Sequence, residues 1–175
     1  PTMLPLLQDG IQGYRPIYQH TIENSTALQN RVTDLPIEVW GFQQPPTQVT
    51  RIDFADQVSL RDFQAAPQSA PGAHLPIDLW WSSAGATSPD RDYSVGVYIL
   101  DHSGQVVAQH DSLLSGVPSS QWQADDIYHS RVQLVTPQTT GTYRLAVAVY
   151  HYMTPEQPLL VEGQSYYRAA TLHIR

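Results

Sequence analysis

Three aromatic side chains stand out as able to act by contact: Trp80, Trp122 and Tyr128. Flat indole and phenol faces stack on sugar rings, and neighbouring Asp, Asn, Gln or Arg groups bond the sugar hydroxyls. Trp80 is followed directly by Trp81. Consecutive side chains of an extended strand point to opposite faces, so one of the pair turns outward. Tyr98 and Tyr150 can extend such a platform. The opposing reading makes Trp81 and Tyr143 core residues and leaves Trp122 to pin a long loop.

Most other chemistry is missing from the chain. There is no Cys, which excludes disulfides, thiolate metal sites and Cys nucleophiles. All 9 basic residues are Arg, so a phosphate-binding loop ending in Lys and a Schiff-base Lys are both excluded. No GxSxG elbow and no HExxH helix occurs. His102 and His110 are the closest histidines, but at ~3.3 Å per strand residue they stand too far apart to share an ion. Asp90, Asp92, Asp101, Asp111, Asp125 and Asp126 lack the ligand spacing of a calcium loop and read as turn caps. Glu23, Glu38, Glu156 and Glu162 form no run that marks a glycosidase pair. The chain is therefore expected to be no enzyme, and to need no metal and no cofactor. Asn24-Ser25-Thr26 matches a glycosylation acceptor, a pattern that arises readily by chance.

The formal net charge of −7 and the absence of a basic stripe weigh against nucleic acid and against an anionic membrane surface. No apolar run reaches the ~18–20 residues of a membrane span, so the chain does not insert directly into a membrane. No signal peptide is visible, and the opening Pro1-Thr2-Met3-Leu4-Pro5 reads as a domain cut from a longer protein.

The elements that must position these residues are short strands. Residues 1–46 carry six prolines and read as an extended, irregular segment, with Ile37–Phe42 as its one strand candidate. From residue 47 to 175 the pattern becomes period-two alternation between turn signals. Strands are expected at Gln48–Phe54, Val58–Phe63, Leu75–Trp81, Tyr93–Leu100, Gln105–Asp111, Ile127–Val135, Thr142–Tyr150, Leu159–Val161 and Tyr166–Ile174. Asp101-His102-Ser103-Gly104 marks a hairpin. So many brief strands, with no convincing helical period, indicate an all-β, two-layer antiparallel β-sandwich. Gly141-Thr142-Tyr143 at the start of a strand fits a tyrosine corner, and Trp81 resembles the core Trp of fibronectin type III-like domains. Both favour an immunoglobulin/fibronectin III-like sandwich, with a jelly roll as the alternative.

Several stretches carry a family resemblance. They are Phe54-Ala55-Asp56-Gln57-Val58-Ser59-Leu60, Ile77-Asp78-Leu79-Trp80-Trp81, Asp92-Tyr93-Ser94-Val95, the run from Leu100 to Asp111, Pro118-Ser119-Ser120-Gln121-Trp122 and Gly141-Thr142-Tyr143-Arg144-Leu145. From about Phe54 onward the chain resembles the C-terminal extracytoplasmic domain of bacterial multi-spanning glycosyltransferase-like membrane proteins, a group similar to dolichyl-phosphate-mannose-protein mannosyltransferases. After the Trp, where that pattern often has Pro-Gly-Glu, this chain has Gln123-Ala124-Asp125-Asp126. The resemblance implies a β-sandwich appended after transmembrane helices, with the catalytic acids in the membrane portion of the parent. The expected function is a non-catalytic accessory domain in a periplasmic or cell-surface position, with a structural or weak glycan-contact role. Its partners are the parent protein's membrane portion and glycan. A free-standing carbohydrate-binding module is the rival.

Overall fold

A computed structural model describes the backbone of the strands at residues 14–22 and 35–42, and all of residues 51–124 and 126–175. The chain divides into two compact units, residues 1–47 and 48–175. In the first, β1 (Tyr14–Ile22) and β2 (Leu35–Phe42) form an antiparallel pair, with Tyr14 opposite Phe42 and Ile22 opposite Leu35. The sequence suggests only the second of these strands. In a two-stranded ribbon each strand is an edge, where a proline can be accommodated, and the register breaks beside Pro16. Asn24-Ser25-Thr26 lies outside the described residues.

The second unit is a two-layer sandwich. One sheet has the order β3 (Ile52–Phe54), β4 (Val58–Ala65), β6 (His74–Ser83) and β9 (Tyr128–Val135). The other runs β5 (Gln68–Ser69), β11 (Tyr167–Ile174), β10 (Gly141–His151), β7 (Tyr93–Leu100) and β8 (Val106–Leu113). Pairing is antiparallel except between β11 and β5. The short β5 crosses to the five-stranded sheet and β6 returns; the chain then changes sheet between β6 and β7, returns between β8 and β9, and changes again between β9 and β10. That is the strand order of an immunoglobulin-type sandwich, with β6 and β9 neighbours in one layer and β7, β10 and β11 in the other. Leu159–Val161 forms no strand. Its Leu159 amide bonds the Val149 carbonyl, and Val161 makes a bridge to Gln164.

Alternation builds the core. Leu75, Ile77, Leu79 and Trp81 of β6 face Val95, Val97 and Ile99 of β7 and Tyr143, Leu145, Val147 and Val149 of β10, all buried. Each such aliphatic side chain contributes about 1.5–3 kcal/mol when fully buried. Trp81 is fully buried, lies 6.1 Å from the Phe54 ring, and donates its indole N–H to Ser130 Oγ at 3.1 Å. Tyr143 is buried at the start of β10 and its hydroxyl donates to the Thr139 carbonyl at 2.9 Å. This bond ties the β9–β10 connection to the sheet, as a tyrosine corner does.

Candidate functional site

The five-stranded sheet is apolar on both faces at its centre. Opposite the core, β10 presents Ala146, Ala148 and Tyr150, and β7 presents Ser94, Gly96, Tyr98 and Leu100. All of these except the partly exposed Tyr98 are buried, so the protein itself largely covers this face. Registers place Ala148 beside Gly96, Tyr150 beside Ser94, and Gly96 beside Asp111 of β8.

Gly96 organises the site. A Cβ at this position would lie 2.2 Å from the Tyr98 hydroxyl oxygen and 2.6 Å from Cζ, so the Tyr98 ring occupies the space that a side chain would take. From the other neighbouring strand, Tyr150 reaches across β7 and its hydroxyl donates to Asp111 Oδ1 at 2.5 Å. Asp111 Oδ2 accepts from Gln109 Nε2 at 3.2 Å. The Tyr98 hydroxyl makes no hydrogen bond to the described residues and remains available to a ligand. Burial raises the pKa of Tyr98, and the charge on Asp111 adds to the effect. Burial, followed by the hydrogen bond to Asp111, lifts Tyr150 further above the ordinary phenol value. Both phenols therefore stay neutral donors at physiological pH.

A groove of about 210 Å³ lies beside this cluster, toward Leu100, Gly104 and Val106. Its walls include Tyr98, Ala148 and Tyr150, with Pro155, Pro158 and Tyr166 from the β10–β11 connection. Aromatic faces, an apolar floor and phenol hydroxyls can take a sugar ring, stacking its C–H face and bonding its hydroxyls.

The aromatic platform suggested by sequence is not assembled. Trp122 and Tyr128 are 1% and 8% exposed and stack on each other at 4.5 Å with an interplanar angle of 8°. The Trp122 indole N–H donates to the Val117 carbonyl at 3.1 Å, and the Tyr128 oxygen accepts from the Gln123 amide at 2.8 Å. Their faces are spent inside the sandwich, where they hold the loop between β8 and β9. Trp80 alone is partly open, on the outer face of the four-stranded sheet, with its ring 5.0 Å from that of His129. Beside it, Asp78 receives His129 Nε2 at 2.7 Å and Arg131 at 2.8 and 2.9 Å. Of the residues singled out by sequence, Tyr98 and Tyr150 line the groove, while Trp122 and Tyr128 meet only inside the sandwich; Tyr166, Pro155 and Pro158 were missed, and Asp111 was read as a turn cap. The available signal was the Ala146-Ala148-Tyr150 alternation on the non-core face of β10.

Several of the acidic residues are engaged with the protein. Asp101 Oδ1 accepts from Ser103 Oγ and from the amides of Ser103 and Gln105, which closes the β7–β8 hairpin. Asp90 accepts from the Tyr93 hydroxyl at 2.6 Å, and Asp92 from the Ser120 amide and hydroxyl. Among the described residues, no group of three or more His, Asp or Glu side chains is placed to hold a metal ion. Among the same residues, no helix is long and apolar enough to cross a membrane.

No family model and no curated protein matches the sequence. In fold, the chain is similar to the C-terminal domain of wzt. The two superpose with a TM-score of 0.52 at 13% sequence identity, over 75% of this chain and 82% of the other. A CARDB domain from Pyrococcus furiosus, solved in complex with di-metal ions, matches with a TM-score of 0.42 at 14% identity, over 73% of this chain and 96% of the other. Both neighbours are β-sandwich domains. The likeness to the wzt domain supports the sandwich fold; it does not show the mannosyltransferase-like parent.

Proposed function

We propose that this chain is a non-catalytic accessory domain that contacts glycan through the groove beside Tyr98 and Tyr150. The observation that carries this reading is the convergence of the Tyr98, Tyr150 and Tyr166 rings with Pro155 and Pro158 around a groove that Ala148 floors. The partly exposed Tyr98 ring supplies a stacking face, and its free hydroxyl supplies a donor for sugar hydroxyls. Its weak, open form suits positioning of a chain better than tight capture of a small molecule. The sequence resemblance supports a place outside the cytoplasm, beside the membrane portion of a bacterial glycosyltransferase-like protein.

An array of immobilised bacterial glycans, probed with the wild-type chain and with Tyr98→Ala, tests this reading. Binding to at least one glycan class, weakened about tenfold or more in the variant, supports it. Absence of binding across the array, or binding that Tyr98→Ala leaves unchanged, contradicts it.

A further inference from the structure

Among the described residues of the second unit, four strands end a sheet: β3 and β9 in one layer, β5 and β8 in the other. An end strand carries backbone groups free to pair with another strand, and native folds usually block them with charge, proline or brevity. β3 and β5 are three and two residues long, and Pro67 and Pro71 stand close to β5. β9 carries Arg131, held by Asp78, near its middle. β8 is different. It runs for eight residues, Val-Val-Ala-Gln-His-Asp-Ser-Leu, with no proline, lysine or arginine. Among the described residues its one strand partner is β7.

The side chains of β8 also depart from those of an ordinary wet edge. Val107 and Leu113 are 44% and 55% exposed. The register sets Gln109 opposite Tyr98, Asp111 opposite Gly96 and Leu113 opposite Ser94, so all three share the outer face. Val107 is the extra residue of the bulge between the Ala108–Ile99 and Val106–Leu100 pairs, which leaves Ala108–Leu113 as the regular edge.

The order of these side chains is self-complementary. Two copies paired antiparallel about a two-fold axis keep outer face beside outer face only when the axis passes through a residue, because side chains alternate. An axis through Asp111 sets two carboxylates against each other. One through Gln109 sets Val107 against Asp111 and leaves Leu113 without a partner. An axis through His110 sets Val107 against Leu113 at both ends, and the Gln109 amide against the Asp111 carboxylate at both inner positions. Axes nearer either end pair fewer residues. Apolar and amide–carboxylate cross-strand pairs stabilise a sheet, whereas like charges directly opposite destabilise it.

We infer that β8 pairs with a second copy of this chain, edge to edge, in an antiparallel register centred on His110. The dimer needs no glycan, and it sets both grooves on one face of a joined sheet. Pairing of one strand from each copy falls near or below the ~1,200 Å² at which stable interfaces begin, so the association is weak and concentration-dependent.

Sedimentation velocity of the full chain between about 10 μM and 1 mM tests this, with Val107→Glu and Leu113→Lys as variants. The wild-type chain should pass from monomer to dimer as concentration rises. Each variant alone should weaken association by about tenfold or more. An equimolar mixture of the two should regain it, because the new carboxylate of one copy faces the new ammonium of the other while Val107 still meets Leu113 at the opposite end. Both substitutions fall at exposed positions, and thermal denaturation matching that of wild type shows that the fold is kept. The wild-type series does not depend on the variants. A wild-type chain that stays monomeric throughout, variants that associate as it does, or a mixture no stronger than its components overturns the inference.

Discussion

Tyr150 on β10 reaches over the whole width of β7 to donate its hydroxyl to Asp111 on β8. A side chain can span two inter-strand spacings, roughly 10 Å, only where the middle strand is bare. Ser94 and Gly96 make it so, and the Tyr98 phenol settles into the space left by Gly96. Three polar groups from three adjacent strands thus meet above one glycine.

Removal of the Tyr150 hydroxyl tests the strength of this bridge. Tyr150 is 9% exposed and its partner is a carboxylate. Tyr150→Phe should therefore cost about 1–2 kcal/mol, within the range for hydrogen bonds to charged groups less partial solvent screening. Urea denaturation at neutral pH measures it, and an unchanged midpoint would show that the bridge contributes nothing.

Gly96→Ala should separate site from fold. The atoms that a new Cβ meets are the far end of the Tyr98 ring, which can swing outward. The strand itself gains from losing a glycine, by roughly 0.5–1 kcal/mol. Stability should consequently change by less than about 1 kcal/mol while glycan binding is lost. Retention of full binding in a folded Gly96→Ala protein would remove Gly96 from the account.

The sandwich itself was legible in the sequence because β6, β7 and β10 alternate cleanly, and Trp81 and Tyr143 stand in the positions that an immunoglobulin-type core uses. The site was legible only in part. Tyr98 and Tyr150 are conspicuous as aromatics, but their meeting with Asp111 depends on the β10–β7 and β7–β8 registers, and no local pattern specifies these. Trp122 misled for the same reason. Its loop is pinned by contacts distant in sequence. Ser119 Oγ donates to the Arg91 carbonyl and accepts from the Tyr93 amide, and Ser88 Oγ donates to the Trp122 carbonyl. Those bonds turn the indole inward, where it pins the loop instead of joining an exposed platform.

Trp122→Ala should therefore act on stability and not on recognition. It opens a cavity against Tyr128 and should cost about 3–5 kcal/mol, the usual range for a buried Trp. Thermal denaturation gives the loss. A stable variant defective only in glycan binding would restore Trp122 to a binding role.

The Asp78 pair should leave a mark on acid stability. Burial pushes the Asp78 carboxyl up, but the hydrogen bonds from Arg131 and His129 more than offset this and hold it below its ordinary value. A folded-state pKa below the unfolded one means that the unfolded chain binds more protons. The contribution is then complete above the unfolded value of ~3.9 and is lost as the pH falls through the lower folded value. Asp78→Asn should be less stable than wild type at pH 7 by about 1–2 kcal/mol, with the gap narrowing below about pH 4. A gap that is constant with pH would contradict the assignment.

Alkaline titration examines the phenols. Burial, followed by the hydrogen bond to Asp90, pushes Tyr93 up to about 12, and Tyr98 and Tyr150 are raised as well. A raised folded-state pKa stabilises below the unfolded value of ~10, and this stability disappears as the pH climbs through the folded value. Ultraviolet difference spectra should show a set of tyrosines that ionise well after the ordinary ones at about pH 10, reduced in Tyr150→Phe. Ionisation of all tyrosines together near pH 10, in a protein still folded, would contradict the buried positions.

The central claim is that glycan meets this chain on the outer face of the five-stranded sheet. Residue-resolved NMR during titration with a glycan selected from the array reads that face directly. The account predicts that amide signals of Gly96, Tyr98, Asp111, Ala148 and Tyr150 shift together while those of Trp80, Trp122 and His129 stay in place. Shifts confined to Trp80 and His129 on the opposite sheet, or no shifts in the groove at saturating glycan, would contradict it.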